Sequence, residues 1–389
     1  MKASVSLTPF HWYQKMQREN PIFFDPNFTL NWGQQGAWQI FRHQDVQKIL
    51  GNYEVFSSES MPKIEQSPIS NGIVNTDPPR HKLLRKIISK AFIPSVVSKL
   101  EPWIREQCQE RLSVVLEKGE MEFIQDFAIP IPVSVITKLL GVPVKDFNQV
   151  HRWANELIFD PDEMETGAES FFRTQQEQSM YFEALIKEKE QHLQDDLLSH
   201  LIQAEVDGER LSLADLISFC IVLLAAGNET TTNLLGNMVL TFTEQPELQT
   251  HLLEHPQDIP LAIDETLRYR SPVQSLFRLA TKDFELDGHQ IKKGDYVIAW
   301  LGAANHDPQV FPNPEVFDIH RNNRSQVSFG HGIHYCIGEP LAKLEAKIAL
   351  EVLFQKVKQI QVKPDVEIER HPSAIMFGLK SLPIIFQRH

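Results

Sequence analysis

Residues Leu213 to Thr243 read as one unbroken helical pattern, about 45 Å long at 1.5 Å per residue. No other segment does more to limit the folds open to the chain. Its most apolar run, Leu216 to Ala226, falls far short of the roughly 20 residues a membrane span requires, so a soluble protein is expected. Ser212 is placed to cap the helix, with Asp215 as its capping partner. The centre, Ala226-Gly227-Asn228-Glu229-Thr230-Thr231-Thr232, breaks helix rules, with glycine and threonine where strong helix formers are expected. Thr230 can hydrogen-bond the carbonyl of Ala226, one turn back, and bend the helix. Gly227 is expected to add room on the same side, a gap that admits small molecules such as dioxygen and water.

Helical periodicity also marks Val46–Leu50, His81–Phe92, Val96–Lys118, Val133–Leu140, Phe171–Gln194, Ile259–Arg270 and Leu341–Lys356. Short strands are expected at Ile22–Asp25 and Ala37–Arg42, and at Phe284–Leu286 and Tyr296–Trp300 around the turn Asp287-Gly288. Strands near both ends with helices between do not make an alternating parallel sheet. The expected fold class is mainly α with a small β-rich region. With no internal repeat or low-complexity linker, residues 1–389 are read as a single domain. A formal net charge of -13 with dispersed Lys and Arg excludes a nucleic-acid binder. Cys108, Cys220 and Cys336 are far apart and odd in number, which argues against a disulfide framework and for a reducing compartment. Met1 to Asp25 has no basic stretch followed by an apolar run, so neither signal peptide nor membrane anchor is expected and the location reads as cytoplasmic.

The chemistry concentrates at Cys336, in Phe329-Gly330-His331-Gly332-Ile333-His334-Tyr335-Cys336-Ile337-Gly338. The glycines allow a tight loop that other residues resist. Glu339-Pro340 then opens a helix, so the cysteine stands just before a helix N-terminus, where unpaired N–H groups and the dipole favour thiolate over thiol. A thiolate in a glycine loop suits metal ligation. Phe-x-x-Gly-x-x-x-Cys-x-Gly arises by chance in about one chain of this length in a thousand.

The loop resembles the haem-binding loop of the cytochrome P450 family, the haem-thiolate monooxygenases. The resemblance implies the P450 fold, haem b (iron protoporphyrin IX) as cofactor, and Cys336 as the proximal ligand of its iron. Ala226-Gly227-Asn228-Glu229-Thr230-Thr231 matches the family's acid–alcohol motif, implying that Glu229 and Thr230 deliver protons to oxygen. Glu265-Thr266-Leu267-Arg268 matches Glu-x-x-Arg, whose later arginine would be Arg321, with a structural role beneath the cysteine loop. His81 and Arg85 in Asp77-Pro78-Pro79-Arg80-His81-Lys82-Leu83-Leu84-Arg85, Arg278 after the Glu-x-x-Arg helix, and His334 are implied as partners of the haem propionates.

The implied activity is insertion of one oxygen atom from O2 into a C–H bond of a hydrophobic small molecule, as in the soluble bacterial branch that oxidises fatty acids, terpenoids, steroids and secosteroids. The chain has no room for a flavin or iron–sulfur module, so electrons would come from a ferredoxin or flavodoxin with its NAD(P)H reductase. Lys82, Lys86, Lys343 and Lys347 are read as a local basic patch that steers such an acidic donor. Family habit implies a monomer. Pocket walls are expected from Met61, Ile64, Ile69, Ile73 and Val74, from a lid at Leu157 to Phe172, and from Leu223 and Ala226. Val273 to Leu276 and Ile375-Met376-Phe377-Gly378 complete them. Three rivals stay open: a peroxide-driven haem-thiolate peroxygenase, a non-catalytic haem sensor and a haem-free helical protein.

Overall fold

The computed structural model describes residues 6–29, 33–61, 67–156 and 164–389. The helix expected at Leu213–Thr243 runs from Leu213 to Glu244, and Ser212 and Asp215 form the reciprocal capping box. Its length and apolarity would suffice to cross a bilayer. Here the same apolarity faces protein: the helix packs against Pro130–Leu139, Met164–Gln191, Ile259–Tyr269 and Glu339–Lys356. These elements build the largest core cluster, which also takes in Ile104, Cys108 and Leu112 of the helix Glu101–Leu116.

The β-rich region is a mixed five-stranded sheet in the order Ile22–Thr29, Gln35–Ile40, Tyr296–Trp300, Ser275–Ala280, Phe56–Ser57. Tyr296, Ile298 and Trp300 join a core on one face of the central strand, while Val297 and Ala299 join a separate core on the other. Burial on both faces explains why this strand reads as a continuous apolar run. A second sheet combines Val357–Val362, Pro383–Arg388 and Glu120–Glu122.

Three expectations need correction. Asp287 and Gly288 do form a tight turn, with φ of +48° and +78°, but it joins Phe284–Leu286 to His289–Ile291. Tyr296–Trp300 pairs elsewhere, parallel to Gln35–Ile40 and antiparallel to Ser275–Ala280. The single helix expected over Val96–Lys118 is two, Pro94–Ser98 and Glu101–Leu116. Pro102 explains the break, because proline fits the first turn of a helix but lacks the N–H needed inside one. Third, Phe171–Gln194 underestimates a helix that runs Met164–Gln191, with a further helix, Leu197–Gln203, capped by Asp196. Helices Phe10–Glu19, Phe147–Glu156 and Pro246–Glu254 complete the main additions to the sequence reading.

Candidate active site

The cysteine loop is built on left-handed glycines, with φ of +78° at Gly330 and +76° at Gly332. A Cβ at Gly332 would stand 2.9 Å from the Leu50 carbonyl oxygen, so only glycine lets the loop seat on the helix His43–Gly51. The Cys336 amide donates to the Phe329 carbonyl at 3.0 Å, closing the loop. The sulfur then lies at the start of Glu339–Lys356, where the Gly338 and Glu339 amides hydrogen-bond it. Protein surrounds the side chain, yet it keeps accessible surface, so it faces a concavity. Burial pushes the Cys336 thiol up, and the Gly338 amide, the Arg85 charge and the Glu339 amide offset this only in part. The helix end alone therefore does not make the expected thiolate. A bound metal cation would, since coordination deprotonates a thiol outright.

Beside the loop, the four candidate propionate partners come together. The helix Arg80–Ala91 carries His81 and Arg85, and Arg85 Nη2 donates to the Tyr335 carbonyl at 2.7 Å. The His81 and His334 rings lie 4.2 Å apart. Arg278, on the strand Ser275–Ala280, is 6% exposed and donates through Nη1 to the Phe277 carbonyl. Burial pushes His81 down to about 4, helped by His334 and Arg85, and pushes Arg278 down to about 10. Burial also lowers His334; Arg278 and Arg85 add to this while Asp77 opposes it. Asp77, to which the sequence reading gave no role, is the acid of this cluster. It accepts from Ser57 Oγ at 2.5 Å and the Ser58 amide at 3.2 Å, and lies 3.9 Å from His334 Nε2, too far for a hydrogen bond. Its only sequence signal was its place at the head of Asp-Pro-Pro-Arg.

Across the long helix, Thr230 Oγ1 donates to the Ala226 carbonyl at 2.7 Å, as expected. Ala226 is exposed in the middle of a helix whose other faces are mostly buried. Burial pushes the Glu229 carboxyl up to about 7, and no cation opposes it. Gly227 does not supply the expected room: a Cβ there would meet Ile136 Cδ1 at 3.0 Å, so this glycine lets the helix Pro130–Leu139 approach. The surface at Ala226 provides the opening instead. Among the expected walls, the late turn and the strand entrance adjoin, with Gln274 N donating to Ile375 O and Phe377 N to Pro272 O at 2.6 and 2.7 Å. Leu223, Val273, Leu276 and Met376 are half-buried, Ile69 and Ile73 pack on the core, and Val74 is exposed. Gln274 and Phe377 are buried, packing rather than lining. Side chains of Ile64 and of Leu157 to Phe172 lie outside the described residues.

Beneath the loop, Glu265 and Arg268 are fully buried and joined by two hydrogen bonds of 2.9 and 2.6 Å. Arg321 Nε and the Asp318 amide both donate to Glu265 Oε1. Arg268 and Arg321 spend their remaining donors on carbonyls of Asn305, Pro312, Asn313, Pro314 and Val316. The expected basic patch is largely neutralised: Lys86 pairs with Asp207, Lys343 with Asp264 and Glu339, and Lys347 with Glu351.

Haem fits these residues. Among the described residues no three His, Cys, Asp or Glu side chains cluster to hold a metal ion, so iron at Cys336 needs its other ligands from a macrocycle. Arg278 is a buried guanidinium with no ion-pair partner among the described residues, and His334 Nε2 is a buried nitrogen without a hydrogen bond. Such a cluster is completed by carboxylates.

The family model described as Cytochrome P450 matches residues 9–388. The chain is 38% identical over 384 residues to Cytochrome P450 109 of Bacillus spizizenii, covering 97% of this chain and 92% of the relative. It is 36% identical to the erythromycin C-12 hydroxylase of Saccharopolyspora erythraea, covering 96% and 93%. The crystal structure of CYP109E1 from Bacillus megaterium in complex with testosterone superimposes with a TM-score of 0.88 at 34% identity, covering 97% and 99%.

Proposed function

The chain belongs to the cytochrome P450 family and is a haem-dependent P450 monooxygenase; on that premise we propose which residues work in it and on what. Haem b, when bound, supplies the iron at which O2 is activated for insertion of one oxygen atom into a C–H bond. Cys336 Sγ ligates that iron, and the N–H groups at the start of Glu339–Lys356 hold the sulfur in place. Arg278, Arg85, His81 and His334 hold the propionates. Glu265, Arg268 and Arg321 fix the segment that carries the loop. Residues 1–389 act as one cytoplasmic domain.

The observation that carries the reading is the acid–alcohol pair on the open side of the long helix. Glu229, with its carboxyl raised to about 7, can both hold and release a proton near neutral pH. Thr230 Oγ1 gives its own hydrogen to Ala226 O, which leaves its lone pairs free to accept from a water. Glu229 passes the proton to that water, and Thr230 keeps the water in line with the reacting oxygen. A peroxide-driven enzyme would not need this pair.

The apolar surfaces of Leu223, Val273, Leu276 and Met376 suit a hydrophobic substrate of the fatty-acid, terpenoid, steroid or secosteroid class. The similar protein crystallised with testosterone makes steroids the first class to assay. Electrons come from a separate ferredoxin or flavodoxin and its NAD(P)H reductase. A titration of the ferric protein with a steroid and lipid library should give a spin-state shift, and turnover should need the ferredoxin system. Turnover supported by peroxide alone, with none from the reductase system, would overturn this reading.

A further inference from the structure

Two wall segments of the pocket, residues 273–276 and 375–378, are tied to each other and to the start of the chain by buried polar groups. Val273 and Met376 form an antiparallel bridge, flanked by the bonds Gln274 N to Ile375 O and Phe377 N to Pro272 O at 2.6 and 2.7 Å. Ser275 Oγ adds a bond to the Ala374 carbonyl at 2.9 Å. Behind this double wall stands Tyr13 of the helix Phe10–Glu19, 2% exposed, which donates its hydroxyl hydrogen to Gln274 Oε1. Gln274 Nε2 donates to the Ser271 carbonyl at 2.6 Å, so both ends of the amide are fixed.

Arg370, 4% exposed, grips the other segment. Its Nη2 donates to the Ser373 and Met376 carbonyls at 2.7 and 2.8 Å, and its guanidinium lies 4.3 Å from the Phe377 ring centre. It makes no ion pair among the described residues, and its buried Nη1 has no hydrogen bond. Burial pushes Arg370 down to about 10 and Tyr13 opposes this, while burial pushes the Tyr13 hydroxyl up and the Arg370 charge opposes that, so the two are neighbours. A buried charge without a partner is costly. What it supplies, and an apolar side chain could not, is directed donors for a turn that belongs to no helix or strand. The fit is close: a Cβ at Gly302 would stand 2.6 Å from Gln274 Oε1 and 2.7 Å from the Tyr13 hydroxyl.

We propose that Tyr13 and Arg370 are positioning residues of the reaction: with Gln274 they form a brace behind the pocket that sets the spacing of these two walls, and so which carbon of an apolar substrate is oxidised. The proposal deepens the monooxygenase reading above and rests on it. Neither side chain touches substrate. Val273, Leu276 and Met376, half-buried on the braced segments, do. A substrate with few polar groups is held by the shape of such walls, so a small displacement changes the carbon presented and leaves the chemistry itself intact. Because Tyr13 belongs to the first helix, the seating of that helix becomes part of selectivity.

The test uses the haem-loaded enzyme and two ligands that bind haem iron through an imidazole nitrogen. Imidazole is small enough to leave the walls untouched, whereas 4-phenylimidazole sets its ring against them. Tyr13→Phe, which removes one hydroxyl, should change the ratio of the two dissociation constants about fivefold, the effect of one hydrogen bond, and leave that of imidazole unchanged. Gly302→Ala keeps every polar group but pushes the brace aside, and should alter the ratio similarly. Arg370→Met should do the same, with Arg370→Lys, which keeps a donor for the two carbonyls, restoring most of the change. Where the wild type hydroxylates testosterone with a ferredoxin system, the variants should redistribute its products; where it does not, the dissociation constants decide alone. A merely structural role would lower the melting temperature and leave the ratio as it was. Should Arg370→Met fail to load haem, Tyr13→Phe and Gly302→Ala carry the test, and a wild-type ratio in both would overturn the proposal. If instead the wild-type protein lacks the red-shifted absorption of its reduced carbon-monoxide complex, the haem-thiolate reading itself fails.

Discussion

A single carboxyl sets the expected pH behaviour of the site. Burial raises Glu229 from 4.5 to about 7, so the folded state keeps a proton that the unfolded chain has already released. Stability from this group is therefore greatest below about 4.5 and declines as pH rises towards 7. Glu229→Gln should remove the decline, and denaturation midpoints of the two proteins should diverge across that window with the variant favoured at higher pH. The same substitution should flatten the pH profile of coupling around neutrality. Thr230→Ala removes the hydroxyl proposed to position water, and about a tenfold loss of coupling is expected, with peroxide released. Full coupling in that variant would exclude Thr230 from the mechanism. Cys336, Glu229 and Thr230 could be singled out as candidates because their signal is local: fixed spacing within a few residues. Asp77 was not, because its role depends on Ser57 and His334, which the fold brings to it from distant segments.

Among elements, the cysteine loop depends on two supports. Gly332→Ala would force a side chain against the Leu50 carbonyl at a left-handed backbone angle, costing about 1–3 kcal/mol. Haem content per protein should fall and the melting temperature drop; an unaltered haem content would show that the loop can seat elsewhere. Glu265→Gln leaves two guanidiniums around a neutral amide, and about 3–5 kcal/mol of stability should be lost, measured by denaturant unfolding. The long helix was read closely because its capping box and apolar run agree. The break at Pro102 was missed because periodicity persists across it, although proline carried the signal. Gly227 was misread for a different reason. The sequence shows that a side chain is missing but not whether its space opens to a pocket or to Ile136.

For the whole molecule, the α-rich architecture with β-structure near both ends followed from where the periodicities change. The order of the five strands did not, since it joins Gln35–Ile40 to Tyr296–Trp300 across most of the chain. Surface charge was the least legible property at this scale. Three of the four lysines read as a patch are matched by nearby acids, so the field offered to an acidic electron donor is weak. Electron-transfer rate should change less than about threefold between 0.01 and 0.15 M ionic strength, as the Debye length contracts from roughly 30 to 8 Å. A steep fall, measured by stopped flow with a ferredoxin donor, would restore the idea of a steering patch.

Glu265 also imposes an order of events on the assembling polypeptide. Its carboxylate is shared by Arg268 on its own helix and by Asp318 and Arg321, which arrive from a segment synthesised later. That segment, with the Val327 amide donating to Asn305 Oδ1 and Ser328 Oγ to the Leu267 carbonyl, anchors the stretch leading to Phe329 and Cys336. If Cys336 is the haem ligand as proposed, its sulfur is positioned by pairings made across distant segments, and cofactor loading is expected to report on whether those segments have docked.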